Sequence, residues 1–129
     1  MSTSKGLNTD FDRWLHRAFR KGPFTALIVL VKIAEPQVEL LRSTHVHIIG
    51  DELDWGDIVL MLGSARTSWD GVAFFPLRSV DKGPMSDADA KVELRDLEAR
   101  LAEDRLVLNE GEFFDVWGRR MRIDETSIS

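Results

Sequence analysis

The sequence contains no cysteine. Without a thiol, the chain has no disulfide framework, no thiolate zinc site, no iron–sulfur cluster and no cysteine nucleophile. The lack of cysteine also fits a reducing compartment. We therefore expect a cytoplasmic protein.

Long apolar runs are missing as well. The longest, Phe24 to Ile33, is interrupted by Lys32 and is far shorter than the roughly 20 residues of a membrane-spanning helix. Residues 1–23 alternate charged with apolar side chains, so they hold no signal-peptide core. We expect no membrane partner.

Positive charge is in the minority, with 17 Lys and Arg against 22 Asp and Glu and a net charge of −5. An acidic surface disfavours nonspecific binding to nucleic acid. We expect no nucleic-acid partner.

The chain has the length and composition of one folded domain. Its 129 residues are 43% hydrophobic and 30% charged, which is typical of a soluble globular protein. A domain of this size buries roughly two-thirds of the surface of its unfolded chain. We find no internal repeat and no long linker. Residues 1–8 and 125–129 are expected to form flexible ends.

An amphipathic helix is predicted near the start of the chain. Apolar side chains recur at helical spacing from Phe11 to Phe19, and Gly22–Pro23 ends the pattern. The apolar stripe includes Trp14 and Leu15, which are too large to stay in contact with water. We expect this stripe to cover the chain's own sheet.

An antiparallel pair of strands follows this helix. Residues 24–34 are apolar on both faces, which predicts a central strand, and residues 37–49 predict its neighbour. The turn is expected at Glu35–Pro36, and the polar run Arg42–Thr44 is expected to bulge or break the second strand. Residues 57–62 fit either a buried strand or a helix.

The rest of the chain predicts a strand, a long helix and a closing hairpin. Residues 71–77 fit a strand, and apolar residues repeat every three or four positions in a helix near 87–104. The hairpin would pair residues 105–108 with 112–123 around Asn109–Gly111. The predicted class is α+β, a single domain with a mainly antiparallel sheet.

The most specific local pattern is the pair His45 and His47. On a strand both imidazoles face the same side, roughly 7 Å apart, as in histidine pairs that share one metal ion. The sequence offers several third ligands, namely Asp51, Glu52, Asp54, Asp57 and His16. The alternative is an exposed strand face with both histidines in solvent. Because no motif singles out one of these residues as the third ligand, the site is incomplete in the sequence, and we expect no stoichiometric metal and no cofactor.

Carboxylates cluster around Trp55 and Trp69. Neighbouring acids raise one another's pKa and can supply a general acid and a general base, although such runs also form solvated loops and helix caps. With the histidine pair, this cluster gives four candidate catalytic residues, namely His45, His47, Asp51 and Asp70.

A polar loop joins two apolar runs at residues 63–71. Its backbone amides and polar side chains could bind a phosphate or carboxylate. The candidate ligand-binding residues are Ser64, Arg66, Thr67 and Ser68. The loop matches neither a P-loop nor a nucleophile elbow, and the alternative is a simple connection.

These observations favour a non-enzymatic protein-binding or regulatory module of the inhibitor, immunity or adaptor type. The alternative is a small-ligand-binding or metal-dependent enzyme that uses His45, His47 and nearby carboxylates. The apolar surface of the C-terminal third predicts a homodimer, because two-fold dimers are the commonest assemblies. We expect Leu97, Phe114 and Trp117 in its interface.

Overall fold

Helices cover both faces of a four-stranded antiparallel sheet. The computed structural model describes residues 9–34, 37–50, 52–63 and 68–123, so the predicted flexible ends lie outside the described residues. The elements are α1 (Asp10–Phe19), β1 (Phe24–Ala34), β2 (Gln37–Ile48), α2 (Trp55–Gly63), β3 (Gly71–Leu77), α3 (Asp87–Glu103), a 3-10 helix (Arg105–Glu110) and β4 (Glu112–Asp115). The strand order is β2-β1-β3-β4. The α+β prediction is confirmed.

β1 is the central strand that its sequence predicts. It pairs with β2 on one side and with β3 on the other. Eight consecutive residues, Phe24 to Val31, are buried. Alternate side chains join two apolar clusters, one beneath α1 and α2 and one beneath α3. A strand that is buried on both faces has a continuous apolar sequence, and β1 has such a sequence.

β2 is an edge strand that contains one bulge. Ala34 pairs with Gln37, so β1 and β2 are antiparallel as predicted, while the predicted turn at Glu35–Pro36 lies outside the described residues. Leu30 pairs with Arg42 but Val31 pairs with Leu40, which leaves Leu41 as an extra residue in β2. The disruption therefore falls one residue before the predicted segment Arg42–Thr44.

α1 packs its apolar stripe onto the sheet. A capping box fixes its start, since the Thr9 hydroxyl accepts the Asp12 N–H at 3.0 Å and the Asp12 carboxylate accepts the Thr9 N–H at 3.2 Å. The other carboxylate oxygen of Asp12 accepts the Trp55 N–H at 2.8 Å, which joins α1 to α2. Trp14 and Leu15 are buried and Phe19 is partly buried in the cluster, as predicted.

Residues 57–62 belong to a helix, α2, and not to a strand. Asp54 and Asp57 each accept the backbone N–H of the other, at 2.9 and 3.1 Å, and so cap the first turn. Ile58 and Leu62, four residues apart, are buried against the sheet. The remaining apolar side chains face outward, which explains why the run looks like a fully buried strand in the sequence.

The C-terminal hairpin is shorter than predicted and turns at a different place. Residues 105–110 form a 3-10 helix instead of a strand. Asn109 lies in this 3-10 helix and not in a hairpin turn, and its side chain pairs with the backbone N–H and C=O of Ile123 at 2.8 and 2.9 Å. β4 turns back after Asp115 and Phe114 bridges to Arg120. Gly118 allows this turn, with φ of +79°.

In the part of the chain that the structure describes, none of the helices has the length and apolarity needed to cross a membrane.

Candidate metal-binding site

His45 and His47 lie on the face of β2 that is covered by α3. His45 is opposite Leu27 and His47 is opposite Thr25 on β1. Leu27 belongs to the apolar cluster beneath α3, whereas Val46 packs against the cluster on the other face. The two imidazole rings are 5.4 Å apart between centroids. Both rings face the same side of β2, as predicted. Their centroids are closer together than the roughly 7 Å that the two-residue repeat of a strand predicts.

The third group at this position is Asp87, in the first turn of α3. Ser86 is the N-cap residue and its hydroxyl accepts the Asp89 N–H at 3.1 Å. Because Ser86 and Asp89 complete the cap, Asp87 can turn its carboxylate toward β2. One carboxylate oxygen, Oδ1, lies 2.7 Å from His47 Nε2 and 3.1 Å from His45 Nε2.

These contacts determine the charge and accessibility of the site. Hydrogen bonds from His47 and then His45 hold the pKa of Asp87 below its usual value. The side chains of His45 and His47 are 16% and 32% exposed, whereas that of Asp87 is 73% exposed. The alternative of an exposed strand face with both histidines in solvent is therefore wrong: the rings lie under the start of α3, and the site opens to solvent beside Asp87.

The arrangement suits a divalent transition-metal ion. One ligand atom from each of His45, His47 and Asp87 lies within 4.8 Å of the other two. Zinc binds imidazole nitrogen and carboxylate oxygen at about 2.0–2.2 Å, which places neighbouring ligand atoms about 3 to 3.5 Å apart. The two observed distances to Asp87 need only a small expansion to admit an ion.

A second layer of hydrogen bonds supports His47. Its other ring nitrogen, Nδ1, lies 2.9 Å from the Thr25 hydroxyl, which also accepts the Met85 N–H at 2.8 Å. Metal-binding histidines nearly always use their second nitrogen in this way, because that contact fixes the orientation of the ring. Neither Thr25 nor Asp87 was among the candidates from the sequence.

The order Thr25, His47, Asp87 also resembles a nucleophile, base and carboxylate relay. In such a relay the hydroxyl must reach the substrate. Thr25 is 0% exposed on the central strand and already accepts the Met85 N–H. No substrate can reach this oxygen, so the arrangement does not support nucleophilic catalysis.

Three of the carboxylates proposed from the sequence have other structural partners. Asp54 and Asp57 cap α2, and Asp70 accepts the Ile33 N–H at 2.7 Å beside the end of β1. Glu52 and His16 are exposed, and Asp51 lies outside the described residues. Among the described residues, Asp87 is the third candidate ligand beside the two histidines. It is not one of the five third ligands that the sequence suggested.

Most of the polar loop between α2 and β3 lies outside the described residues. Ser64, Arg66 and Thr67 lie outside the described residues, and Ser68 is exposed. An anion site in this loop stays a prediction from the sequence.

The three predicted interface residues have different environments. Leu97 and Phe114 are buried in the two apolar clusters of this chain, so neither side chain is available to a partner. Trp117 is 65% exposed, and the Arg119 guanidinium lies over its ring at 4.8 Å. Only Trp117 keeps the exposure that an interface residue needs.

Comparisons of this chain with protein-family models, with curated proteins and with solved structures found no match.

Proposed function

We propose that this chain binds one divalent transition-metal ion, with zinc as the reference ion, through His45 Nε2, His47 Nε2 and the Asp87 carboxylate. The observation that carries the proposal is the convergence of three ligand atoms from two distant segments of the chain. His47 and Asp87 are 40 residues apart in sequence. Local patterning cannot account for their contact.

The chemistry of the three groups supports this class of ion. Two imidazoles and one carboxylate suit zinc, and the same combination with open positions also suits ferrous iron. The exposed side of Asp87 leaves room for water in the remaining coordination positions. Bound there, the ion joins the edge strand β2 to the first turn of α3.

Titration of the metal-free protein with Zn²⁺ tests the proposal. We expect one equivalent to bind and to survive dialysis, and we expect binding to be lost when both His45 and His47 are replaced by alanine. His16→Ala is the matched control, because this histidine is exposed on α1 and should not affect binding. Equal zinc binding by the double variant and the wild type would overturn the proposal.

A second candidate function, protein binding by homodimerisation, is favoured by the outer face of α2. Leu60 is 78% exposed and Val59, beside it, is also exposed. Exposed apolar side chains on one face of a helix are typical of an interface. We expect light scattering to give twice the monomer mass of 14.7 kDa at micromolar concentration, and Leu60→Glu to give the monomer. A wild-type monomer at every concentration would contradict this candidate.

A further inference from the structure

Thr25 is the one polar residue in the buried part of the central strand. The eight residues from Phe24 to Val31 are otherwise apolar, and Thr25 is 0% exposed. A buried hydroxyl needs hydrogen-bond partners, because water cannot supply them. Its two partners are the Met85 N–H and Nδ1 of His47. This pairing connects the sheet interior to the proposed metal site.

The contacts of His47 define the tautomer of its neutral ring in the metal-free protein. An ionised carboxylate only accepts hydrogen bonds, so the 2.7 Å contact with Asp87 requires a proton on His47 Nε2. In a neutral imidazole, Nδ1 is then an acceptor. In this neutral ring, the Thr25 hydroxyl therefore donates its proton to Nδ1.

Binding of an ion reverses these roles. Nε2 uses its lone pair to bind the metal, so the ring proton must lie on Nδ1. The Thr25 oxygen then accepts this proton as well as the Met85 N–H, and its two lone pairs suffice for both. A hydroxyl can make this exchange by rotating about its C–O bond, whereas a methyl group cannot.

We propose that Thr25 is a positioning residue for the metal site: it orients the His47 ring and changes from hydrogen-bond donor to acceptor when the ion binds. This inference rests on the proposed function, because it assigns Thr25 a part in the same site.

Three variants separate the hydroxyl from the shape of the side chain. Thr25→Val keeps the volume and removes the hydroxyl, and we expect it to weaken zinc binding about 10- to 100-fold, as the loss of such a support typically does. Thr25→Ser keeps the hydroxyl and should bind zinc like the wild type. Thr44→Val is the control, because Thr44 is exposed and pairs with Ile28, whose side chain is on the opposite face.

Nitrogen NMR of the His47 ring supplies a readout that a purely structural role would not change. In the wild type we expect the Nε2–H tautomer without metal and the Nδ1–H tautomer with zinc. The Nδ1 proton should exchange slowly with water, because Thr25 is fully buried. The exchange rate of this proton is measured in the wild type, so it tests the contact with Thr25 even where Thr25→Val fails to fold.

Two results overturn the inference while the proposed function stands. One is a Thr25→Val protein that binds zinc as tightly as the wild type. The other is a zinc-bound wild type whose His47 Nδ1 proton exchanges rapidly with water, because that proton would then have no buried contact with Thr25. A wild type that binds no zinc overturns the proposed function and, with it, this inference.

Discussion

Replacement of Trp14 by alanine should lower the free energy of unfolding by about 3 to 5 kcal/mol, as expected for a large aromatic residue in a core. Trp14 is only 6% exposed. Its ring lies 5.6 to 6.2 Å, between centroids, from the rings of Phe11, Phe24, Phe74 and Phe114. Because small domains are stable by about 5 to 15 kcal/mol, this loss would be a large part of the total.

Trp117→Ala is the matched control for this measurement. It removes the same side chain from a position that is 65% exposed, where the main ring contact is with Arg119. A surface change of this kind usually alters stability by no more than about 0.5 kcal/mol. Urea unfolding of both variants gives the comparison. A loss of no more than about 0.5 kcal/mol for Trp14→Ala would show that α1 is not part of the core.

Zinc at a free concentration 100 times its dissociation constant should raise the free energy of unfolding by about 2.7 kcal/mol. The ion binds the folded chain, in which the Asp87 carboxylate lies beside the two histidines. In the unfolded chain this carboxylate is no longer held near them. Replacement of His45 and His47 by alanine should abolish the increase, and His16→Ala should retain it. Thermal or urea unfolding with and without zinc measures the effect.

The same stabilisation should decrease on acidification. Metal binding requires unprotonated imidazole, so protons compete with zinc at both histidines. Hydrogen bonds from His47 and His45 lower the pKa of Asp87, so its carboxylate stays ionised to lower pH than usual. Zinc-dependent stabilisation that is unchanged by acid, or present in the double variant, would contradict this prediction.

Most elements of the fold could be predicted because their patterns are local. The periodicity of Phe11 to Phe19 and the apolar run of β1 each match one kind of structure. α2 remained ambiguous because it is short and apolar on its outer face as well. The predicted turn at Asn109–Gly111 is wrong because residues 105–110 form a 3-10 helix, and the contact of the Asn109 side chain with Ile123 is one that a turn motif does not reveal.

The candidate site could be predicted only in part, for the same reason. The spacing of His45 and His47 follows from the period of a strand. Asp87 joins them only because α3 packs across the sheet, and its position after Ser86 suggests no more than a helix cap. Thr25 had a detectable pattern, since a single hydroxyl within an otherwise apolar strand requires a buried partner.

X-ray absorption spectroscopy at the zinc edge tests the central claim most directly. For the chain loaded with one equivalent of Zn²⁺, we predict a first shell of nitrogen and oxygen at about 2.0–2.2 Å, with the outer-shell scattering of two imidazoles. The Asp87→Asn variant should keep the two imidazoles and lose affinity. A wild-type spectrum with one imidazole or none would show that the ion binds elsewhere and would contradict the proposed site.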